Sequence, residues 1–407
     1  MITDPLPIFL ILAAVVLVSV QLEVRTKLFR SLGAALTGIL LGMVLSNTGI
    51  IPGDSSTYDF LMGDGVYFGI ALILLSVDLR SVLQAGPGML AAFGIGAIGT
   101  AVGAITGGFF LAGLVGPETW KLAGQFAGTY TGGGANFAAV GREFGTSPDL
   151  FAAATAADVI ITAVWMMVCL AVPVLLGRPA NSAPMDGSGP RGGSPPGQEG
   201  RPGGPADAAG TGTGFVPGGD EAVTLEQTLN SSVKPVSLTH AAALVVVAVG
   251  SVWGAGFLAG VLPFVPEVLW LTTLVLVMAQ IPVIKELPGA ALFGNYMVLL
   301  FLVSNGARSV VANLVAMGPP VFYYAIITVA LHGLVIFGIG RLAKLDMATL
   351  AVASQANVGG AASAIALASA RGYHDRLVPG VAVGLVGYGI GNYIGIAVGI
   401  FMRGFIG

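Results

Sequence analysis

Long apolar segments follow one another along most of this 407-residue chain, and they restrict its fold more than any other feature. The chain is 55% apolar and only 9% charged, with a mean hydropathy of +0.89. A soluble domain carries about 25% charged residues. About 20 apolar residues cross a bilayer as a helix, and a backbone exposed to lipid must satisfy its own hydrogen bonds. The sequence therefore predicts an all-α polytopic membrane protein.

The apolar segments fall into two groups on either side of a polar stretch. Residues 177–235 are rich in Gly, Pro, Ser, Asp and Ala, so they cannot bury enough apolar surface to fold. We predict a first transmembrane repeat at 1–176, a disordered linker at 177–235 and a second repeat at 236–407. The predicted spans are 5–24, 31–47, 64–80, 87–113 and 149–176, then 238–261, 266–282, 288–305, 317–341 and 375–403.

Two polar, glycine-rich breaks, at residues 129–136 and 354–363, interrupt the apolar pattern and resemble each other. Residues 133–135 match residues 359–361 with a shift of 226, and a second match joins 75–82 to 303–310. Unwound backbone in a membrane is tolerated only where it lines a cavity or is buried in protein. Breaks at equivalent places in two halves point to a transporter's binding site, and the alternative is a pair of buried turns without a ligand.

The path of the two breaks decides the topology. If each break is a re-entrant hairpin, each half crosses the membrane five times and the halves are inverted. If each is a discontinuous helix that crosses fully, each half crosses six times and the halves are parallel. With Arg25, Lys27 and Arg30 in a cytoplasmic loop, the hairpin arrangement places more Lys and Arg inside. We therefore predict inverted repeats with about 10–12 transmembrane helices, counting the two broken segments.

The breaks supply most of the candidate binding residues. Glycine permits positive φ and close approach of a ligand to the backbone. The ends of half-helices leave unpaired N–H and C=O groups, which favour carboxylates at one end and cations at the other. The predicted substrate- and ion-binding residues are Thr129, Thr131, Gly133, Gly134 and Asn136 in the first break, and Ser354, Gln355, Asn357, Gly359, Gly360 and Ser363 in the second.

Three polar residues on the long helices complete the predicted site. Asp158 lies well inside a predicted span, where a carboxylate is costly and marks a functional site. It is predicted to carry a proton or to bind Na⁺; the alternative is a carboxylate paired with a helix terminus or a buried hydroxyl. The shift of 226 pairs it with Gly384, so the charge belongs to one half only. Tyr388 and Asn392 lie about one helical turn apart and are expected to reach the second break.

Other protein classes are disfavoured by the composition and by the absence of motifs. A net charge of −3 argues against nucleic-acid binding, and the single Cys169 cannot form an internal disulfide. The histidines are too scattered to form a metal site; for His332, inside a span, a packed histidine is favoured over a proton relay. With no P-loop, paired metal ligands or serine–histidine–aspartate order, the chain is predicted not to be an enzyme. The expected cofactors are none beyond Na⁺ or H⁺ as coupling ion.

Several motifs resemble those of a known family of membrane proteins. They are residues 120–124, 132–140, 156–158, 357–360, 378–380 and 387–395. On these residues the chain resembles the domain of unknown function 819 family, also called YjcL-like proteins. The first break and the helix of Asp158 are also similar, more distantly, to cation/proton antiporters and bile-acid-type sodium symporters. That similarity implies inverted repeats, crossed discontinuous helices and a homodimer that works by elevator-like movement.

These observations lead to one expected function and two alternatives. We expect a secondary active transporter of a small, anionic organic solute, coupled to Na⁺ or H⁺, in the cell (inner) membrane as a multi-pass protein. Its expected partners are the lipid bilayer, the solute and a second copy of the chain. The alternatives are a monovalent cation/proton antiporter that uses Asp158 as its carrier, and a non-transporting membrane assembly or receptor protein.

Overall fold

The computed structural model describes residues 4–79, 82–176 and 235–407 as helices joined by short turns. By length and composition, ten helical segments of the described residues are long and apolar enough to cross a membrane. The prediction of an all-α polytopic membrane protein is therefore confirmed. The predicted linker lies outside the described residues, apart from Pro235. Residues 80–81, within the second repeat match, lie outside them too.

The first half begins with helices whose starts are set by proline and by a side-chain cap. Pro5 occupies the first turn of α1, where its missing N–H costs nothing, and the Thr26 hydroxyl accepts a hydrogen bond from Phe29 N at the start of α2. The helices are α1 (Pro5–Arg25), α2 (Lys27–Asn47), α3 (Ser56–Phe60), a π turn (Leu61–Gly65), α4 (Val66–Leu75), α5 (Val82–Val115), α6 (Thr119–Gly132), α7 (Gly134–Glu143) and α8 (Pro148–Leu176).

The second half also begins its helices with side-chain caps. Ser237 and His240 form a capping box at the first helix, and Asp346 accepts a hydrogen bond from Thr349 N at a later one. The helices are α9 (Leu238–Val261), α10 (Glu267–Met278), α11 (Pro282–Lys285), α12 (Ala290–Arg308), α13 (Val311–Leu342), α14 (Met347–Ala370), a 3₁₀ turn (His374–Arg376) and α15 (Leu377–Ile406).

One predicted span is too long. Residues 266–282 were expected to cross the membrane, but α10 has only 12 residues, about 18 Å of helix against a hydrocarbon core of about 30 Å. Pro266 precedes this helix and Pro282 starts the next one. A proline lacks the N–H that would continue the hydrogen bonding of a preceding helix. The apolar run is therefore divided into a short helix and a turn.

The helices form two bundles, each of which combines both halves of the chain. The hairpin bundle contains α5, α6, α7, α8, α13, α14 and α15, and the flanking bundle contains α1 to α4, α9, α10 and α12. Small residues allow close crossings: Gly103 of α5 lies against the backbone of Thr328, and Gly306 of α12 lies against the backbone of Ile39. Contacts between the bundles are fewer and involve mainly α7, α8 and α15 on one side and α2, α4, α10 and α12 on the other.

Helices α6 and α7 fold back on each other as a helical hairpin, which we call hairpin 1. At its base, the Lys121 ammonium donates to Gly145 O at 2.8 Å. Nearer the tip, Gln125 Nε2 donates to Phe137 O at 3.4 Å. The chain reverses at Gly133, whose φ of 89° and ψ of −176° are accessible to glycine and strained for other residues.

Helix α14 makes a second hairpin, hairpin 2, with its tip at Gly360. This glycine has φ 76° and ψ −173°, close to the values at Gly133. A side chain at Gly380 would meet both Val352 and Ala364, so the two arms of hairpin 2 lie side by side. In terms of backbone conformation the partner of Gly133 is thus Gly360 rather than Gly359, and the predicted shift of 226 is wrong by one residue at this point.

The two hairpins approach α15 from its opposite ends. The N-terminal half of α15 packs on hairpin 2 and its C-terminal half packs on hairpin 1, which brings the tips together near the middle of the helix. The close contacts in chain order are Gly380 with Val352, Gly384 with Ala361, Gly387 with Gly132, Gly395 with Gly124, and Gly399 with Phe144. Inverted repeats and re-entry into a membrane stay predictions, but the two hairpins point in opposite directions.

Candidate functional site

Both hairpin tips contact one aromatic ring, that of Tyr388 on α15. A Cβ atom on Gly133 would lie 3.5 Å from Cε1 of Tyr388, and one on Gly360 would lie 3.3 Å from its Oη. The ring is 1% exposed. The structure thus brings the two predicted breaks and Tyr388 together at one place inside the hairpin bundle.

Asn136 connects the tip of hairpin 1 to α15 and, through it, to the flanking bundle. Its Nδ2 donates to Tyr388 O at 3.0 Å and to Asn392 Oδ1 at 2.9 Å. Asn392 Nδ2 in turn donates to Thr272 Oγ1 on α10 at 2.8 Å. The expectation that Asn392 reaches the second break is wrong, because one further turn along α15 carries its side chain to hairpin 1.

Several buried polar atoms near the two tips have no hydrogen-bond partner among the described residues. Buried polar groups are nearly always paired in folded proteins, and leaving one unpaired costs about 1–3 kcal/mol. A set of such atoms is therefore available to a polar ligand, an ion or water. The atoms are Thr131 Oγ1, Asn136 Oδ1, Asp158 Oδ1, both side-chain polar atoms of Gln355, and Asn357 Oδ1.

Asp158 lies on α8 beside hairpin 1 and is 9% exposed. The hydroxyls of Tyr130 and Thr162 are close enough to interact with its carboxylate. Asp158 also lines a small cavity of about 30 Å³ between the bundles, which is room for about one water molecule. The hydroxyls fit the structural interpretation of this carboxylate, whereas the cavity and the unpaired Oδ1 fit the functional one. The other lining residues are Ala35, Ile73, Gly134, Ala135, Phe137, Thr155, Val159, Asn295, Val298 and Leu302.

Ser354 is turned away from the tips and belongs to a paired network around His332. Its hydroxyl accepts from Trp165 Nε1 at 3.0 Å and lies 2.8 Å from His332 Nε2. His332 Nδ1 lies 2.9 Å from Gly96 O. A carbonyl only accepts, so Nδ1 carries a hydrogen. His332 is therefore a packed, hydrogen-bonded histidine, in agreement with the favoured interpretation of the sequence.

The remaining predicted residues support the shape of the tips. Thr129 O accepts from Gly133 N at 2.6 Å and closes the end of α6. Gly359 packs against the side chains of Ser363 and Gln355, and the Ser363 hydroxyl donates to Gly360 O at 3.1 Å. These three residues fix the turns, so their role is to position the backbone.

The binding residues predicted from the sequence do not include three residues that the structure places at the site. Tyr130 stands within the first break, and Thr162 follows Asp158 by four residues, so helical spacing places it on the same face. Thr272 carried no signal, because its place beside Asn392 depends on how α10 packs against α15. Among the described residues, no group of three His, Cys, Asp or Glu side chains is placed to hold a metal ion.

The structure contains two opposed helical hairpins with a buried polar site between their tips. They are set among helices long enough to cross a membrane, so the structure is that of a polytopic membrane protein with a core of discontinuous helices. The chain belongs to the family described as "Protein of unknown function (DUF819)", which matches residues 8–187 and 217–405. It is 26% identical over 398 residues to "Uncharacterized membrane protein YjcL" of Bacillus subtilis (strain 168), covering 96% of this chain and 94% of that protein. The resemblance to this family is confirmed; the more distant similarity to antiporters and symporters stays a prediction.

Proposed function

We propose that this protein is a secondary active transporter of a small, anionic organic solute, coupled to Na⁺ or H⁺, and not an enzyme. One observation carries the proposal: two hairpins from opposite directions meet at Tyr388, and buried polar atoms without partners surround their tips. Interrupted helices that meet inside a membrane protein are characteristic of transporter binding sites. The second arm of each hairpin also starts at a tip, where its N-terminal N–H groups favour an anion.

The division into two bundles supports alternating access by an elevator-like movement. The hairpin bundle would carry the site, and the flanking bundle would stay in place. Such a movement would have to break the polar contacts between the bundles. In one of them, Glu143 accepts hydrogen bonds from the Tyr67 hydroxyl and from Val268 N. The small cavity at Asp158 also lies on this boundary, so a shift of the hairpin bundle would change its shape.

The distribution of basic residues supports an orientation in the cell (inner) membrane. The face at the base of hairpin 2, the hairpin-2 face, carries more Lys and Arg than the face at the base of hairpin 1, the hairpin-1 face. By the positive-inside rule, the hairpin-2 face is cytoplasmic. A homodimer within the lipid bilayer is part of the same proposal. The described residues concerned are Arg25, Lys27, Arg30, Lys285, Arg341, Lys344, Arg371 and Arg376 on the hairpin-2 face, and Lys121, Arg142, Arg308 and Arg403 on the hairpin-1 face.

A monovalent cation/proton antiporter is the second candidate, and Asp158 favours it. A single carboxylate with an unpaired oxygen, beside a cavity with room for about one water, suits a small ion better than an organic solute. In this case Asp158 would bind the cation and the proton in turn. In the first candidate it would hold only the coupling ion, while the amides of Asn136, Gln355 and Asn357 bind the solute.

Ligand-dependent thermal stability tests the proposal first. The purified chain would be screened against amino acids, dipeptides and organic acids, each with and without Na⁺, because a ligand that binds the folded state raises the melting temperature. A Tm increase with an organic anion that depends on Na⁺ or pH supports the transporter. No shift with any compound or cation, together with no flux in proteoliposomes, would favour the third candidate, a non-transporting assembly or receptor protein.

The variant Asp158→Asn separates the two transport mechanisms. If the chain is an antiporter, this variant abolishes cation/proton exchange in proteoliposomes. If it is a solute transporter, the variant loses ion coupling but keeps solute binding in the thermal assay. Asp375→Asn is the matched control, since this carboxylate is exposed and pairs with the neighbouring Arg376. Unchanged coupled flux in Asp158→Asn would rule out the assigned role.

A further inference from the structure

A second and larger cavity opens between the bundles, near the base of hairpin 1 and away from the tips. Its volume is about 260 Å³, which is near the lower end of the range for small-molecule sites. Hairpin 1 and α8 form one wall, and α3, the π turn and α12 form the other. The lining residues are Asp59, Met62, Gly63, Gly141, Arg142, Gly145, Thr146, Phe151, Phe301 and Asn305.

The guanidinium of Arg142 has a hydrogen-bond donor that no described residue accepts from. It lies 4.9 Å from the centre of the Tyr67 ring, its Nε is buried without a hydrogen-bond partner, and it makes no ion pair with any residue that the structure describes. Asn305 is fully buried. Its Nδ2 donates to Pro148 O at 3.2 Å, while its Oδ1 has no partner among the described residues.

The acidic residues nearest the cavity already have partners. Asp59 Oδ1 accepts from Arg308 Nη1 at 3.0 Å, and Glu143 accepts from Tyr67 and from Val268 N. Glu267 is near enough to Arg142 to interact with it electrostatically, but neither Glu267 nor Asp64 lines the cavity. Among the residues that line the cavity, Arg142 is the cationic group, and it makes no ion pair within the described part of the chain.

We propose that this cavity binds the carboxylate of a small organic acid through Arg142, with its apolar body against Met62, Phe151 and Phe301. A guanidinium pairs with a carboxylate through two parallel hydrogen bonds, and aromatic walls suit an apolar or aromatic body. The inference rests on the proposed transport of an organic anion and adds to it a site outside the hairpin tips.

Two phenylalanines separate this cavity from the cavity at Asp158. Phe151 lines the larger cavity and Phe137 lines the smaller one, and their ring centres are 4.7 Å apart in an edge-to-face arrangement. An acid bound at Arg142 would thus stand one aromatic layer away from the Asp158 cavity. This position makes the larger cavity an access site for the solute.

Titration of the purified full-length chain with 4-fluorobenzoate, followed by ¹⁹F NMR, tests the assignment. The neutral isostere 4-fluorobenzamide should bind at least about tenfold more weakly, because a charge-assisted pair is lost. Arg142→Gln should weaken 4-fluorobenzoate by about the same factor and leave 4-fluorobenzamide unchanged. Asp59→Asn should tighten 4-fluorobenzoate, since it removes a negative charge from the lining.

Two further variants keep the test decisive if Arg142→Gln does not fold. Gly63→Leu fills the cavity without changing charge, because a Cβ there meets nothing within 4 Å, and it should weaken both compounds. Arg403→Gln is the charge-matched control: its guanidinium lies over the Trp120 ring at 5.0 Å, outside the cavity, so both affinities should stay unchanged.

Three results would overturn the inference: no binding of 4-fluorobenzoate to the wild-type chain, binding that neither Arg142→Gln nor Gly63→Leu changes, or tighter binding of 4-fluorobenzylamine. Flux in proteoliposomes separates this failure from that of the proposed function. Coupled flux without binding at Arg142 would contradict the access site and would still support the transporter. Binding at Arg142 without flux of any organic acid supports the site and contradicts the transporter.

Discussion

Gly133 and Gly360 share a backbone conformation that residues with a Cβ atom avoid. Both combine a positive φ with a ψ near 180°, a region that is essentially restricted to glycine. Each also faces the ring of Tyr388 at contact distance. The backbone conformation therefore favours glycine at the two tips, whereas a Cβ would meet Tyr388 at ordinary contact distance at Gly133 and slightly closer at Gly360.

We expect Gly133→Ala and Gly360→Ala each to reduce the free energy of unfolding by about 1–3 kcal/mol. The measurement is thermal unfolding of the purified variants in one detergent. Gly94→Ala is the control, because this glycine is helical and a Cβ there meets open space; it should stabilise α5 slightly. Equal melting temperatures for Gly133→Ala and Gly94→Ala would contradict the assigned tip conformation.

At the level of elements, a cluster of charged and hydroxyl groups closes the base of hairpin 1. Glu118 Oε1 accepts from the Lys121 ammonium at 2.6 Å. Its Oε2 accepts from the Ser147 hydroxyl at 2.6 Å and from Ser147 N at 3.1 Å. Partial burial acts to raise the pKa of Glu118, but the hydrogen bonds from Lys121 and Ser147 outweigh it and lower this pKa below its ordinary value of 4.5. The ionised carboxylate thus holds the start of α6 to the start of α8.

This arrangement predicts acid-sensitive stability. Because the folded-state pKa is lowered, the contribution of Glu118 is complete above the unfolded value of 4.5 and is lost as pH falls through the folded value. Glu118→Gln should therefore reduce stability by about 1 kcal/mol at neutral pH, since the partly exposed pair is screened by solvent. The difference in Tm from wild type should shrink below the unfolded pKa. Glu286→Gln, at an exposed glutamate, is the control and should leave Tm unchanged at neutral pH. A pH-independent loss in Glu118→Gln would contradict the role.

The sequence predicts elements well where an apolar run determines both ends. α1 was expected at 5–24 and is found at Pro5–Arg25. The span expected to start at residue 87 begins at Val82 instead, because α5 continues through a kink at Gly86, where φ is 73°. Local signals also found both breaks and Asp158. They could not find Thr272 or Arg142 as site residues, since these depend on which distant helices pack together.

For the whole molecule, contacts between the ends of helices define two opposite faces. On the hairpin-1 face, Asn47 Nδ2 donates to Ser309 O at 2.9 Å and Asp149 accepts from Val310 N at 2.6 Å. On the hairpin-2 face, Arg376 Nη2 donates to Asp346 at 2.8 Å. Asp149, in the first turn of α8, thereby also holds the start of α13. Each face carries the base of one hairpin, so the two bases should be reached from opposite sides of a membrane.

Side-specific labelling tests this topology. In a Cys169→Ser background, Pro117→Cys at the base of hairpin 1 should react with an impermeant maleimide in intact cells. His374→Cys at the base of hairpin 2 should react only after the cytoplasmic side is exposed. Cys169→Ser alone should remain unlabelled. Labelling of both positions from one side would show that the halves are parallel.

The matching φ and ψ angles at Gly133 and Gly360 also bear on energetics. If the chain is the proposed transporter, two tips of the same local geometry would present similar barriers towards the two compartments. The states open to either side would then differ by little free energy, and a small gap would let modest ligand binding redistribute them. Direction of net movement would follow from the solute and ion gradients and not from a preference built into the fold. In a chain of this kind, the single carboxylate of Asp158 is the main departure from that balance.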